Sequence, residues 1–171
     1  MTNFESEQDS MIQKIEKFSN LLVLKSMTKL YALAGLRLGY GISADINLIE
    51  KIRNTGQPWA VNSLASVAGC VALHDNVYKL KFLDFLQKER IFLFQELKKL
   101  NFKVWNPNAN YIFFQVENNL DLDQKLLNYK ILIRHCYNYQ FIDKSYYRIA
   151  VRKHEENLYL LDCLKKIVNN K

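Results

Sequence analysis

The chain has 171 residues, 49% of them hydrophobic and 24% charged, enough for one ordinary domain with a sizeable core or for two small ones. No run approaches the roughly 18 to 20 apolar residues of a spanning helix, and the polar, acidic start (Met1-Thr2-Asn3-Phe4-Glu5-Ser6-Glu7) is not that of a secretory leader. The net charge of +7 is scattered as singles and pairs such as Lys98-Lys99 and Lys165-Lys166, so no basic face for nucleic acid is expected.

Taken in chain order, Met11, Ile12, Ile15 and Phe18 at helical spacing predict a helix over residues 9–19. Leu21-Leu22-Val23-Leu24 is a short, fully apolar run typical of a buried strand in a parallel sheet. A loop around Lys29 follows, then a second strand near residues 38–42. Asp45 is placed to cap a helix over 46–53, and Asn62 or Ser63 to start one over 64–73. Residues 75–100 read as one long helix, with Val77, Leu80, Leu83, Leu86, Ile91, Phe94 and Leu97 at mostly three- and four-residue steps. The pattern then turns strand-like at 102–105, 111–116, 131–134 and 146–151, with helices predicted over 120–129 and 155–168. The expected boundary lies inside the long helix: residues 1–80 form one part, and residues 81–171 a small α/β layer fed by that helix.

Cys70, Cys136 and Cys163 are far apart and lack C-x-x-C spacing, so they read as reduced, mostly packed thiols of a cytoplasmic protein. His74, His135 and His154 lack metal-ligand spacing, and surface or cap roles with no metal are expected. Asp121 and Asp123 at a helix start would offset its dipole.

The chemistry concentrates in Ser26-Met27-Thr28-Lys29-Leu30-Tyr31-Ala32-Leu33-Ala34-Gly35-Leu36-Arg37-Leu38-Gly39-Tyr40. A lysine just past an apolar strand, partly desolvated or beside cations, is suited to attack an aldehyde. Ser26, Thr28 and Arg37 could hold a dianion by charge-assisted hydrogen bonds. The alternative for Lys29 is an ordinary surface lysine. Arg148, in Tyr146-Tyr147-Arg148-Ile149-Ala150-Val151-Arg152, could grip a carboxylate or pair with an acid such as Asp143. Arg134, in Ile131-Leu132-Ile133-Arg134-His135-Cys136, is a second anion-binding candidate or an edge-strand surface residue. Asn110, before Tyr111-Ile112-Phe113-Phe114, can end a turn after Asn106-Pro107-Asn108.

The residue 26–40 segment closely resembles the cofactor-lysine segment of fold-type I pyridoxal-phosphate enzymes, the aspartate aminotransferase superfamily. The resemblance implies that Lys29 is the Schiff-base lysine for pyridoxal 5'-phosphate, with Ser26, Thr28 and Arg37 on its phosphate. It also implies that Arg148 binds the substrate α-carboxylate, with Asn110 nearby. The segments around Arg134 and Arg148, and the Gln57-Pro58-Trp59-Ala60-Val61-Asn62 loop, resemble the threonine-phosphate decarboxylase branch. Histidinol-phosphate aminotransferases are similar at Val61-Asn62-Ser63-Leu64-Ala65, and His135 stands where the decarboxylase branch has an acid.

Only the C-terminal part of that fold is matched. The expected architecture is therefore an α/β remnant of the large-domain sheet, the long connecting helix and the small C-terminal domain. In the family an aspartate pairs with the pyridine nitrogen, and Asp45, Asp75 and Asp84 lie in helix or capping contexts that do not suit that role. Two arginines near one cleft suit a small amino-acid phosphate with two anions. The implied reaction is decarboxylation of threonine phosphate or transamination of the histidinol-phosphate type, unless the chain is a catalytically incompetent remnant. Uncovered apolar faces such as Leu21–Leu24 are expected to pair with a second copy.

Overall fold

The computed structural model describes residues 10–117 and 120–169. The described residues divide into two compact units, parted between Leu83 and Asp84. A 24-residue helix, α3 (Asn76–Lys99), contains the division.

The first unit opens with a short 3-10 helix, Met11–Lys17, that buries no residue. The predicted helix over 9–19 is thus shorter and tighter, and its first residue lies outside the described residues. With no apolar face to pack, the longer α-helical ladder lacks the tertiary contacts that usually stabilise one. Strand β1 (Val23–Ser26) pairs antiparallel with β2 (Gly39–Ile42), in the register Val23↔Ile42 to Ser26↔Gly39. This corrects the expectation of a buried parallel strand at 21–24: the strand begins later, reaches Ser26, and leaves Leu24 75% exposed. A four-residue apolar run is compatible with either strand direction, and the chain's tight return from Met27 to Leu38 selects the antiparallel one.

Gly39 matters to this pair because a Cβ there would lie 2.8 Å from the Lys25 carbonyl oxygen, closer than any side chain tolerates. Helix α1 (Ile46–Thr55) is capped by Asp45, whose Oδ1 accepts Leu48 N–H at 3.1 Å. Helix α2 (Ser63–His74) is capped by Asn62, whose Oδ1 accepts Ala65 N–H at 2.8 Å. Helix α2 is apolar on more than one face. Ala65 and Gly69 are buried, and the Leu38 side chain lies where a Cβ of Gly69 would be. Leu64, Val67 and Val71 form an exposed stripe at helical spacing. A helix apolar all round is normally covered on all sides.

The second unit is an antiparallel sheet in the order β3-β4-β6-β5, made of β3 (Lys103–Val104), β4 (Tyr111–Gln115), β5 (Arg134–His135) and β6 (Tyr146–Ala150). One face carries Ile112, Phe114, Tyr147 and Ile149. These residues form one core with Leu93 and Leu97 of α3, Leu122 and Leu126 of α4 (Leu122–Leu127), and Leu161 and Leu164 of α5 (His154–Asn169). Alternation along each strand sends Phe113, Tyr146 and Arg148 to the opposite, half-exposed face. The strand predicted at 131–134 shrinks to two residues, because Ile131–Ile133 do not join the ladder with β6. Among the described residues no helix is long and apolar enough to cross a membrane.

Candidate active site

Two clusters, one in each unit, contain the residues singled out from the sequence except Asn110. The first forms where β1 ends. Ser26 Oγ and Thr28 Oγ1 are 2.8 Å apart, Thr28 N–H donates to Ser26 Oγ at 3.3 Å, and Lys29 Nζ donates to Thr28 Oγ1 at 3.3 Å. The turn is held by Met27 N–H to the Leu38 carbonyl at 3.1 Å and Leu33 N–H to the Met27 carbonyl at 3.2 Å. Register continued beyond Ser26↔Gly39 therefore brings residue 37 alongside residue 28. Arg37 adopts a left-handed backbone with φ of 55°, and its Nη1 donates to the Ala34 carbonyl at 3.1 Å. No hydrogen bond joins its guanidinium to Ser26, Thr28 or Lys29 among the described residues. Lys29 is exposed. The partly desolvated lysine expected from the sequence is not met among the described residues, where Lys29 lies exposed three residues past the end of β1.

A primary amine, two hydroxyls and a guanidinium on one short turn are the donor set that a phosphorylated aldehyde requires. The amine suits the carbonyl carbon, and the hydroxyl and guanidinium N–H and O–H groups suit the phosphate oxygens. The residues present fit such a group.

The second cluster lies on the open face of the four-stranded sheet. Arg134 and Arg148 are register partners across β5 and β6, which places their side chains on the same face with Cβ atoms about 5 Å apart. Neither has an acidic partner among the described residues. Arg134 Nη2 donates to Asn138 Oδ1 at 2.9 Å, and its guanidinium lies 5.8 Å from the Tyr139 ring centroid. The Arg148 guanidinium lies 4.7 Å from the Tyr111 ring centroid. Asp143, the acid the sequence offered as a partner, makes no ion pair with Arg148: its Oδ1 accepts Ser145 N–H at 2.8 Å and Ser145 Oγ–H at 2.5 Å, and these bonds hold its carboxyl below the usual range. Like charges directly opposed on a sheet destabilise it unless something anionic joins them.

Asn110 stands apart from this pair. It lies half-buried in a bend before β4, where its carbonyl accepts Val151 N–H at 3.0 Å. No hydrogen bond joins it to Arg134 or Arg148.

The strands bearing these arginines are pinned by residues to which the sequence reading gave bland roles (His135, His154, Asp123) or none (Asn157, Glu89). His135, next to Arg134, has Nδ1 3.1 Å from Asp123 Oδ2 and Nε2 2.9 Å from the Lys144 carbonyl, and it stacks on Tyr147 at 4.7 Å. Asp123 is thus engaged by a histidine rather than serving the helix dipole alone, and Asp121, with φ of 45°, makes no side-chain cap bond. At the other end of β6, buried Asn157 Nδ2 donates to Glu89 Oε2 at 2.8 Å and to the Arg152 carbonyl at 2.7 Å, while its Oδ1 accepts Arg152 N–H at 3.1 Å. His154 Nδ1 adds a 2.9 Å contact to Glu89 Oε1. A buried network with its polar atoms satisfied makes the strand end rigid. Burial pushes the Tyr147 phenol up to about 12 and raises the Cys136 and Cys163 thiols, so these three remain neutral packing groups.

The family model described as aminotransferase class I and II matches residues 2–164. The threonine-phosphate decarboxylase of Salmonella typhimurium is 36% identical over 168 residues, which are 97% of this chain and 46% of that protein. The crystal structure of the histidinol-phosphate aminotransferase from Clostridium acetobutylicum superposes with a TM-score of 0.94 at 32% identity, over 99% of this chain and 52% of that one. The histidinol-phosphate aminotransferase from Sinorhizobium meliloti, solved in complex with pyridoxal-5'-phosphate, gives a TM-score of 0.79 over 89% of this chain and 42% of that one; at 16% identity it shows the fold alone. The chain spans about half the length of the relatives it matches. The family match runs through both clusters and nearly every element described above, and the chain belongs to the aminotransferase class I and II family.

Proposed function

We propose that this chain belongs to a pyridoxal-phosphate-dependent enzyme acting on a phosphorylated amino acid, by decarboxylation of L-threonine O-3-phosphate as in cobalamin biosynthesis. The observation that carries this reading is the opposed, acid-free pair Arg134 and Arg148. Two cations held side by side suit a substrate bearing a carboxylate and a phosphate. The Ser26-Thr28-Lys29 cluster supports the cofactor part of the reading.

Pyridoxal phosphate, when bound, supplies an electron-withdrawing ring conjugated to the substrate Cα. Lys29 is the group that would hold the aldehyde and afterwards return a proton to Cα. Ser26, Thr28 and Arg37 would anchor the phosphate. Arg148 would bind the carboxylate and Arg134 the second anion, so that the Cα–carboxylate bond is the one aimed for cleavage. A histidinol-phosphate-type aminotransferase is the second reading, favoured by the 0.94 TM-score to such a structure. In it the Cα–H bond takes that orientation and Lys29 Nζ removes the proton.

The test supplies the chain with pyridoxal phosphate and O-phospho-L-threonine. Release of carbon dioxide and aminopropanol phosphate is expected, with Arg148→Met lowering kcat/KM by about 100-fold or more. Amino transfer to a 2-oxo acid without carbon dioxide would select the second reading. Neither product would mean a remnant without the family's chemistry.

The exposed stripe Leu64, Val67 and Val71 supports association with a second copy. Light scattering is expected to give twice the mass of one chain. Leu64→Glu combined with Val71→Glu is expected to halve that mass. A wild-type monomer at high concentration would refute the pairing.

A further inference from the structure

Among the described residues, every hydrogen bond and ring contact of the Arg134 and Arg148 side chains comes from a neutral group. For Arg134 they are Asn138 Oδ1 and the Tyr139 ring; for Arg148 it is the Tyr111 ring. Of the acids near this strand pair in the sequence, Asp143 is engaged by Ser145, Asp123 by His135 and Glu156 by Arg152. Asn138 and Tyr139 both sit on the turn that follows β5. Tyr139 N–H closes that turn on the Cys136 carbonyl at 3.0 Å, and Cys136 N–H bonds the Tyr146 carbonyl of β6 at 2.9 Å. The turn is therefore fixed to the strand that bears Arg148, and it carries its two anchors back onto Arg134.

The chemistry of the anchor decides what the arginine can do. A carboxylate at residue 138 would engage the guanidinium as an ion pair and cancel its charge toward a ligand. An amide oxygen accepts one N–H, aims the fork and leaves the charge intact. A ring face does the same through its quadrupole.

We propose that Asn138 is a positioning residue of the anion site: its neutral amide, with the Tyr139 ring, aims Arg134 beside Arg148 without neutralising it. This rests on the reading of Arg134 and Arg148 as substrate-anion residues. The neutrality of residue 138 then sets the affinity for the second anion.

The full chain is titrated with O-phospho-L-threonine while the proton–nitrogen NMR signals of the Arg134 and Arg148 side chains are followed, assigned with Arg134→Met and Arg148→Met. Both signals are expected to shift in the wild type. Asn138→Ala should bind about tenfold more weakly, and Asn138→Gln should recover to within roughly threefold. Asn138→Asp should bind more weakly than Asn138→Ala although its melting temperature is not lowered. A merely structural role predicts the opposite for Asn138→Asp, which can form the stronger pair with Arg134; wild-type binding there overturns the proposal. Wild-type binding in Asn138→Ala, alongside a loss in Arg134→Met, overturns it too while leaving the two-arginine reading intact. If neither arginine signal moves in the wild type, the two-arginine reading falls and the proposal with it.

Discussion

Replacing Lys29 by alanine is expected to abolish the single borohydride-stable adduct that the wild-type chain forms with pyridoxal phosphate. Any exposed lysine can react with an aldehyde, so the prediction concerns selectivity. Lys29 differs from its competitors in its surroundings: Nζ is hydrogen-bonded to Thr28 Oγ1, which in turn lies against Ser26 Oγ. Those hydroxyls can seat the phosphate while the amine meets the aldehyde, which raises the local concentration of one reactive end beside the other. Arg37 arrives on the same turn through the bonds that tie residues 27 and 38. Peptide mapping by mass spectrometry should therefore place the adduct on Lys29, with strong loss in Arg37→Met and no change in Lys51→Ala on the exposed side of α1. Adducts spread evenly over surface lysines, unaffected by Lys29→Ala, would show that this turn does not select the cofactor.

Phe114→Ala is expected to cost about 3 to 5 kcal/mol of stability, against roughly 1 kcal/mol or less for Phe113→Ala one residue away. Phe114 is fully buried on the core face of β4, with the rings of Phe102 at 5.5 Å and Tyr147 at 5.9 Å. Phe113 lies on the half-exposed face, against Trp105 at 5.0 Å and Tyr146 at 5.6 Å. The ring removed from the core leaves a cavity that its neighbours cannot fill, whereas the outer ring leaves a gap that water can enter. Native domains are stable by only about 5 to 15 kcal/mol, so the first change should lower the melting temperature of the second unit by roughly 15 °C or more. Thermal melts followed by circular dichroism would check this. Equal losses at 113 and 114 would mean the strand register is wrong, and with it the pairing of Arg134 with Arg148.

Much of the local structure was legible in the sequence. Apolar steps of three and four residues marked α3, and the candidate caps Asp45 and Asn62 or Ser63 marked the starts of α1 and α2, because both features act within one or two helical turns. The turn bearing Ser26, Thr28 and Lys29 was legible through its resemblance to a known cofactor segment, and the family match bears out the family. The direction of β1 was not legible. Nor was the 3-10 geometry of Met11–Lys17, since both depend on what packs against them.

The sequence by itself determined the mixed α/β class, the helices with strong periodicity, and a resemblance at residues 26–40 that points to the family. Tertiary structure alone decided that Arg134 opposes Arg148, that Asn138 rather than an acid holds Arg134, and that His135 and Asn157 pin the strands through Asp123 and Glu89. The reason is physical. Periodicity and capping are written in neighbouring residues, whereas cross-strand register and the contact between residues 89 and 157 arise only when distant segments pack into one core.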